Sequence, residues 1–310
     1  MKPAVSLGEV VFSDGSPEVT LQAAGSKISA VLSLTKPRIV LMVLITVGVG
    51  FILGARGSAR PSTLLWTLLG TGLVAAGASA LNQWLESSRD ALMRRTSNRV
   101  LPTGRLSSRE AFVIGSGLGL AGSFLLLMSV NAMSSAVALI TYLLYVFVYT
   151  PLKPVTTLNT VVGAIPGALP PVIGWVAATG RLGIEAWTLF LILFLWQFPH
   201  FLAIAWIYRV DYGRAGFKML SVFDPTGKIT AHQSLLYALA LIPVSLLPAI
   251  IGLAGSFYFI GALFLSFLYF ADALRFSMDI SDRAARRLLR TSFLYLPAIL
   301  ALLLLNPLPA

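Results

Sequence analysis

Residues 185–207 read EAWTLFLILFLWQFPHFLAIAWI. This stretch holds one charged side chain, Glu185, and it is longer than the about 20 apolar residues that a helix needs to cross a bilayer. Lipid offers no hydrogen-bond partners to the backbone, so a crossing segment must satisfy its own polar groups, as a helix does. The stretch therefore predicts a membrane-spanning helix.

Similar apolar runs recur from Ile39 to the C-terminus, and Gly, Pro and charged clusters separate them. They predict an all-α, polytopic membrane protein with nine spans in a bundle. The predicted spans are 38–55, 62–81, 111–130, 133–150, 159–179, 185–207, 232–253, 256–274 and 291–308. Residues 1–30 are polar and aperiodic and are predicted to form a disordered cytoplasmic tail, which leaves 31–310 as one transmembrane domain.

The composition agrees with a membrane protein, because 57% of the residues are hydrophobic and only 11% are charged, against about 25% in an average soluble domain. The net charge of +11 raises the question of nucleic-acid binding. The charges lie in short loops between apolar runs, which favours control of membrane topology instead. Cysteine is absent, so disulfides, thiolate metal sites and a cysteine nucleophile are excluded.

The Lys and Arg residues predict the orientation of the chain. With an N-terminus in the cytoplasm, the nine spans place 20 of the 23 basic residues on the inner side and 3 on the outer side. Such an excess is typical of inner loops. The sequence therefore predicts a multi-pass protein of the cell inner membrane whose N-terminus is cytoplasmic.

Three polar side chains follow one another at the end of the second span. Asn82, Glu86 and Asp90 have the spacing i, i+4, i+8, so on a helix they form one stripe at the membrane edge. Two carboxylates and an amide oxygen suit Mg²⁺, which proteins commonly hold with substrate phosphates. The alternative is an exposed helix end whose acids pair with nearby arginines.

Basic residues follow this stripe directly. Arg94, Arg95, Arg99 and Arg105 either anchor the inner side of the membrane or clamp a phosphate or carboxylate with two-point contacts. Lys153 is the only charge in its predicted loop, and the same two interpretations apply to it.

A second polar region begins inside the sixth span. Gln197 and His200 lie within apolar sequence, and Tyr208, Arg209 and Asp211 follow it. Polar side chains inside a span indicate a functional site. The alternative for His200 is a hydrogen bond between helices.

Three stretches carry a resemblance to a known family: LNQWLESSRDALMRRTSNRVLPTGRLS at 81–107, YTPLKPVTTLNTVVGAIPGALPPVIGW at 149–175, and WQFPHFLAIAWIYRVDYGRAGFKML at 196–220. The chain resembles the UbiA-type intramembrane prenyltransferases, and among them the branch that farnesylates protohaem IX. The resemblance implies nine helices around a central cavity under a cytoplasmic cap. It also implies farnesyl diphosphate and haem B as substrates, haem O and diphosphate as products, and Mg²⁺ as cofactor.

By matching position, Asn82, Glu86 and Asp90 would form the first metal–diphosphate motif, and Asp211 would belong to the second acidic region. These four residues are the expected catalytic and metal-binding set. The chain departs from the family pattern in two ways, since Glu86 stands where many members have Asp and the second region keeps Asp211 as its only acid.

The substrates are expected to meet basic, aromatic and polar residues near these acids. The expected substrate-binding residues are Arg94, Arg95, Arg99, Arg105, Tyr149, Lys153, Gln197, His200, Tyr208 and Arg209. Aromatic rings are further expected to stabilise a farnesyl cation, with Trp84, Tyr149, Trp196, Phe198 and Tyr208 as candidates. Haem A synthase or a terminal oxidase is the expected protein partner.

Two rival functions fit parts of the sequence. A transporter would also contain polar residues inside glycine-rich spans, although its site would lie near the middle of the membrane. A related prenyltransferase with another aromatic acceptor would contain the same acidic stripe. Only the resemblance distinguishes the acceptors.

Overall fold

The computed structural model describes residues 27–58 and 60–308, and this part of the chain is helical without any β-sheet. Nine of its helices are long and apolar enough to cross a membrane, which confirms the predicted all-α polytopic class. A short helix over 27–34, α1, precedes them. The nine are α2 (Pro37–Ala55), α3 (Pro61–Asp90), α4 (Ser108–Ser129), α5 (Ala132–Leu152), α6 (Asn159–Thr179), α7 (Ile184–Ile207), α9 (Lys228–Ile250), α10 (Ser256–Met278) and α11 (Asp282–Leu305). Between α7 and α9 lies α8, Arg209–Arg214.

Two helices extend furthest beyond their predicted spans into polar sequence. α3 continues to Asp90 rather than ending at residue 81, and α11 begins at Asp282 rather than at residue 291. Hydropathy marks only the part of a helix that lipid surrounds, whereas backbone hydrogen bonding continues past the membrane edge. The extension of α3 carries the whole acidic stripe on one continuous helix.

Local sequence explains where several helices begin. Pro37 and Pro61 occupy the first turns of α2 and α3, where the missing N–H of proline costs nothing. The side chain of Ser107 accepts from the backbone N–H of Glu110 and the Glu110 carboxylate accepts from the N–H of Ser107, which forms a capping box before α4.

Glycines allow α3 and α4 to pack closely. A Cβ added to Gly77 would lie 2.6 Å from the carbonyl oxygen of Gly115 and 2.6 Å from the nitrogen of Gly119. Small residues bring helix backbones together where dispersion, rather than the hydrophobic effect, drives association in lipid. This contact fixes α3, and with it the stripe, against its neighbour.

The loops at one end of the bundle are rich in basic residues, and we call this end the basic face. It consists of residue 36 and the connections 91–107, 153–158, 208–227 and 279–281. Ala30 and Leu34 of α1 pack on Val100 and Leu106. Gln83 Nε2 donates to the Leu34 carbonyl at 2.7 Å, so α1 is fastened to α3.

Most of the tail predicted at 1–30 lies outside the described residues. Residues 27–30 within it are helical and belong to α1.

Helix α5 departs from regular geometry at its basic-face end. Residues Leu144–Tyr149 form a π-helical segment, and the Thr150 hydroxyl donates to the Tyr145 carbonyl at 2.8 Å. Such segments often occur at functional sites because they rotate the side chains that follow. Here Tyr145 and Tyr149 both reach the wall of a central cavity.

Candidate active site

A cavity of about 650 Å³ opens inside the bundle. Its walls come from α2, α3, α5, α6, α7, α8 and α11, together with the connections 91–107, 153–158 and 208–227, and they are mainly apolar. Asp90 lies at its basic-face end and Thr71 lies deep within it. These two residues share α3 and are therefore about 28 Å apart along the helix axis at 1.5 Å per residue. The cavity is thus a deep apolar chamber with a charged entrance.

The acidic stripe forms part of that entrance. Asn82, Glu86 and Asp90 all line the cavity, and their residue exposures are 2%, 6% and 0%. The helical spacing therefore placed three oxygen-bearing side chains on the same wall. Buried carboxylates need partners, because an isolated buried charge is very costly.

A separate basic group meets each member of the stripe. Lys36 Nζ donates to Asn82 Oδ1 at 3.0 Å, and Lys153 Nζ lies 2.7 Å from Glu86 Oε1. Arg99 Nη1 lies 2.8 and 2.7 Å from the two carboxylate oxygens of Asp90. Because the three basic groups come from three chain segments, the entrance is a three-pair cluster rather than a single ion pair.

The two lysines of this cluster differ in their pKa. Burial, together with the positive charge of Arg99, lowers the pKa of Lys36 to about 7. Burial alone would also lower the pKa of Lys153, but the negative charge of Glu86 outweighs it and raises this pKa above its ordinary value. Lys153 is therefore a permanent cation near neutral pH, whereas Lys36 can gain or lose its proton there.

Lys36 was not identified as a site residue from the sequence, where it counted only toward topology. Its backbone has φ 51° and ψ 62°, a left-handed conformation that side chains other than glycine rarely adopt. The residue before a proline is restricted further, and Pro37 follows it. Strain of this kind is often found at functional sites. The available sequence signal was a lysine just before a proline-initiated span.

The backbone near Lys153 is held by the segment that follows α8. The Lys218 N–H donates to the Lys153 carbonyl at 2.7 Å, and Asn159 Nδ2 donates to the Lys218 carbonyl at 2.9 Å. Lys153 Nζ also lies 4.6 Å from the centroid of the Tyr149 ring. These contacts position the amine between Glu86 and an aromatic face.

The arginine-rich connection divides into two pairs. Arg95 and Arg99 line the cavity, whereas Arg94 and Arg105 do not. Arg105 instead donates to the Asn98 carbonyl at 3.1 Å, which stabilises its own loop. Arg95 donates to the Tyr212 hydroxyl at 3.1 Å.

Three residues of the second polar region, Tyr208, Arg209 and Asp211, do not join the stripe at the cavity wall. Asp211 lies outside the lining, and its partner is Arg214 at 3.9 Å. Arg209 also lies outside and pairs with Asp282 of α11 at 2.8 Å. Tyr208 is near Arg95, whose guanidinium lies 4.9 Å from its ring centroid, but Tyr208 itself does not line the cavity.

Gln197 and His200 do line the cavity, although each also holds neighbouring helices. Gln197 Nε2 donates to the carbonyls of Ala164 at 3.2 Å and Leu193 at 3.0 Å. His200 Nδ1 lies 2.7 Å from the hydroxyl oxygen of Ser292 on α11. The hydrogen bond between helices, which was the alternative for His200, is therefore present.

Among the five aromatic candidates, Tyr149 and Trp196 reach the cavity wall. Trp84 instead donates to the Ser108 hydroxyl at 2.7 Å, and Phe198 stacks on a side chain of α9. The structure adds Tyr145, whose ring centroid lies 5.3 Å from that of Tyr149. An aromatic wall therefore adjoins the charged entrance.

The donor set at the entrance fits Mg²⁺. Glu86 Oε1 is buried 2.7 Å from Lys153 Nζ, and a carboxylate has more lone pairs than one ammonium group occupies, so Glu86 can also contact a cation. Residues 27–58 and 60–308 contain no group of three acidic or histidine side chains able to hold a metal. An ion here would rest on Asn82, Glu86 and Asp90 and on oxygens from phosphate or water, as is usual for Mg²⁺.

The chain is similar in sequence to known proteins. The model of the UbiA prenyltransferase family matches residues 43–303. A protoheme IX farnesyltransferase from Solibacter usitatus is 46% identical over 89% of this chain and 97% of its own. One from Koribacter versatilis is 42% identical over 88% and 91%. The mitochondrial protoheme IX farnesyltransferase of Arabidopsis thaliana is 38% identical over 88% of this chain and 64% of its own.

Solved structures share the fold at low identity. A digeranylgeranylglyceryl phosphate synthase superposes with a TM-score of 0.77 at 16% identity, covering 90% of this chain and 98% of the other. A UbiA homologue from Archaeoglobus fulgidus, bound to GPP and Mg²⁺, gives a TM-score of 0.60 at 18% identity, covering 88% and 99%.

Proposed function

The chain belongs to the UbiA prenyltransferase family, and we propose that it transfers the farnesyl group of farnesyl diphosphate to a vinyl group of haem B. Water adds in the same reaction, and the products are haem O and diphosphate. The curated relatives named protoheme IX farnesyltransferase, at 38–46% identity, support haem as the acceptor. Prenyl transfer itself follows from the family.

The observation that carries the proposal is the cluster of three paired oxygens and cations at the entrance of an apolar chamber. A prenyl diphosphate has the same division, with a highly charged head and a long apolar tail. The head would lie among Lys36, Lys153 and Arg99, and the tail would extend toward Thr71. Arg95 also lies on this wall and is a further cation for the diphosphate or for a haem propionate.

We assign Asn82, Glu86 and Asp90 to Mg²⁺, in line with the homologue that was solved with GPP and Mg²⁺. When bound, the ion supplies charge neutralisation for the diphosphate leaving group. Asp211 remains a predicted further ligand, although it lies outside the cavity wall. The sequence also predicts substrate contacts at Arg94, Arg105, Tyr208 and Arg209, which lie outside the cavity lining.

The reaction begins when the bond between farnesyl C1 and the diphosphate oxygen breaks and both electrons leave with diphosphate. Fixed cations at Lys153 and Arg99 stabilise the charge that develops there. The allylic cation is protected from water in the apolar chamber, and the rings of Tyr149 and Trp196 stabilise it by about 1–2 kcal/mol each when desolvated.

The π electrons of the haem vinyl group then form the new carbon–carbon bond. The positive charge moves to the carbon next to the porphyrin ring, and water adds there and loses a proton. The product therefore carries a hydroxyfarnesylethyl group, and the proton leaves with solvent.

We further propose that the protein lies in the cell inner membrane with its N-terminus in the cytoplasm. The division of basic residues, 20 on one side and 3 on the other, supports this orientation. The basic face is then cytoplasmic, where soluble farnesyl diphosphate would arrive. Haem A synthase or a terminal oxidase is the proposed recipient of the product.

The function is tested with purified protein, farnesyl diphosphate, Mg²⁺ and haem B, by measuring product masses. Haem O should form, and chelation of Mg²⁺ should stop its formation. Parallel reactions contain a quinone precursor or a chlorophyll-like acceptor in place of haem. Farnesylation of one of these with none of haem would contradict the proposed acceptor, and transport of substrate without chemical change would contradict an enzyme.

A further inference from the structure

His200 lies about 10 Å below the basic-face end of α7, seven residues before Ile207 at 1.5 Å per residue. Its residue exposure is 8%, and it lines the central cavity. The Trp196 ring stacks on its imidazole with centroids 5.0 Å apart, and Phe201 and Phe293 approach it edge-on at 5.3 and 5.1 Å. Three aromatic rings therefore fix the plane of the imidazole.

The hydrogen bonds of Ser292 determine which nitrogen of His200 carries the proton. A serine hydroxyl has one hydrogen to donate. Ser292 Oγ donates it to the Leu289 carbonyl at 2.6 Å. The 2.7 Å contact between Ser292 Oγ and His200 Nδ1 must then be donated by the imidazole. The neutral ring therefore carries its proton on Nδ1 and a lone pair on Nε2.

The lone pair of Nε2 is open to the cavity. Nε2 forms no hydrogen bond with any of the residues the structure describes. Protein atoms do not enclose it completely, so a ligand can reach it. A histidine that binds a metal has the same arrangement, since its second nitrogen usually donates to an oxygen that sets the ring orientation.

We infer that His200 Nε2 is the axial ligand of the haem iron, and that Ser292 is the positioning residue that presents it. The inference rests on the proposed function, in which haem is the acceptor substrate. Histidine is a common axial ligand of haem iron. Ligation would fix the height and tilt of the porphyrin beneath the charged entrance, so that one vinyl group faces farnesyl C1. Acceptors without a metal could not use this contact.

Absorption spectroscopy of the purified full chain tests the ligand. Ferric haem B is titrated into the unaltered protein and into His200→Ala, and the Soret and visible bands are followed. The variant should lose the band positions of histidine-ligated haem and bind at least tenfold more weakly. The exposed His232, the other histidine of the chain, provides the matched control, and His232→Ala should leave both spectrum and affinity unchanged.

Two further variants separate ligation from packing. In His200→Gly, added imidazole should restore the histidine-type spectrum, because it fills the space of the lost side chain and supplies the nitrogen. Ser292→Ala should weaken haem binding roughly 10- to 100-fold, the usual effect of removing the partner of a metal-binding histidine, and Ser292→Thr should restore it. Metal-free protoporphyrin IX should bind the unaltered protein and His200→Ala with equal affinity.

Product analysis on the same samples distinguishes this inference from the proposed function. Haem O formation together with an unchanged spectrum in His200→Ala would overturn the ligand and leave the function intact. A spectrum that depends on His200, without any haem O in the unaltered protein, would overturn the function and leave the ligand intact. Loss of metal-free porphyrin binding in His200→Ala would return His200 to a packing role.

Discussion

The stripe on α3 and the polar segment at 208–214 differ in how the chain presents them. The stripe lies on one unbroken helix, so its spacing alone sets the direction of its three side chains. The second segment is a short helix after a break at Tyr208, and its direction depends on contacts with α11 and with the loop at 220–222. On a regular helix, the spacing of residues in the sequence thus predicts which side chains point the same way, whereas in a connection it does not.

The largest expected effect is on the stripe. The double variant Glu86→Gln, Asp90→Asn should lower haem O formation by more than about 10³-fold. It neutralises the two carboxylates that we propose to hold Mg²⁺ and that pair with Lys153 and Arg99. Mass analysis of product at saturating substrates measures it. Asp279→Asn, an exposed acid at the same face, is the matched control and should retain full activity. Normal turnover by the double variant would remove the stripe from the active site.

Substitutions at two positions of the arginine-rich connection should lower activity to different extents. Arg99→Ala should reduce activity by about 10²-fold, because it removes the cation bonded to Asp90 and a donor for the leaving group. Arg105→Ala, in the same loop but outside the cavity, should reduce it by less than about threefold, as expected for an exposed contact. Steady-state rates of both variants, with protein recovery as a check on folding, test the contrast. Equal losses would indicate a loop that acts only as a whole.

Lys36 should give the entrance a pH dependence. Its pKa of about 7 means that the free protein loses this cation as the pH rises through 7, so the affinity for farnesyl diphosphate should fall by up to about tenfold between pH 6 and 8. Arg99, Lys153, Glu86 and Asp90 face the same space. A profile of KM against pH measures the effect, and Lys36→Arg should flatten it. The same slope in Lys36→Arg would assign the titration to another group.

Among the predicted metal ligands, the smallest effect is expected at Asp211. Asp211→Asn should change activity by less than about fivefold, because the carboxylate lies outside the cavity wall and its pair with Arg214 is long, at 3.9 Å. Activity at limiting and at excess Mg²⁺ provides the measurement. A loss comparable with that of the stripe would mean that α8 moves its acid to the entrance during turnover.

Much of the fold could be predicted because hydropathy and span length are local properties. The stripe was predictable for the same reason. So were Tyr149 and Lys153, which lie at the end of α5, the span that faces the stripe. Lys36 could not be found in this way, because its unusual backbone and its bond to Asn82 depend on how α1 and α3 meet. Arg209 shows the reverse, since this charge lies beside a site motif but pairs with Asp282 of α11 and is outside the cavity lining.

The left-handed backbone at Lys36 has a consequence for evolution of the chain. Glycine would adopt this geometry at no steric cost, whereas any other residue gives up roughly 1–2 kcal/mol of folding free energy. Glycine, however, brings no amine to the entrance. No natural amino acid combines the backbone freedom of glycine with an amine. Selection for a more stable fold and selection for turnover therefore favour different residues at this position.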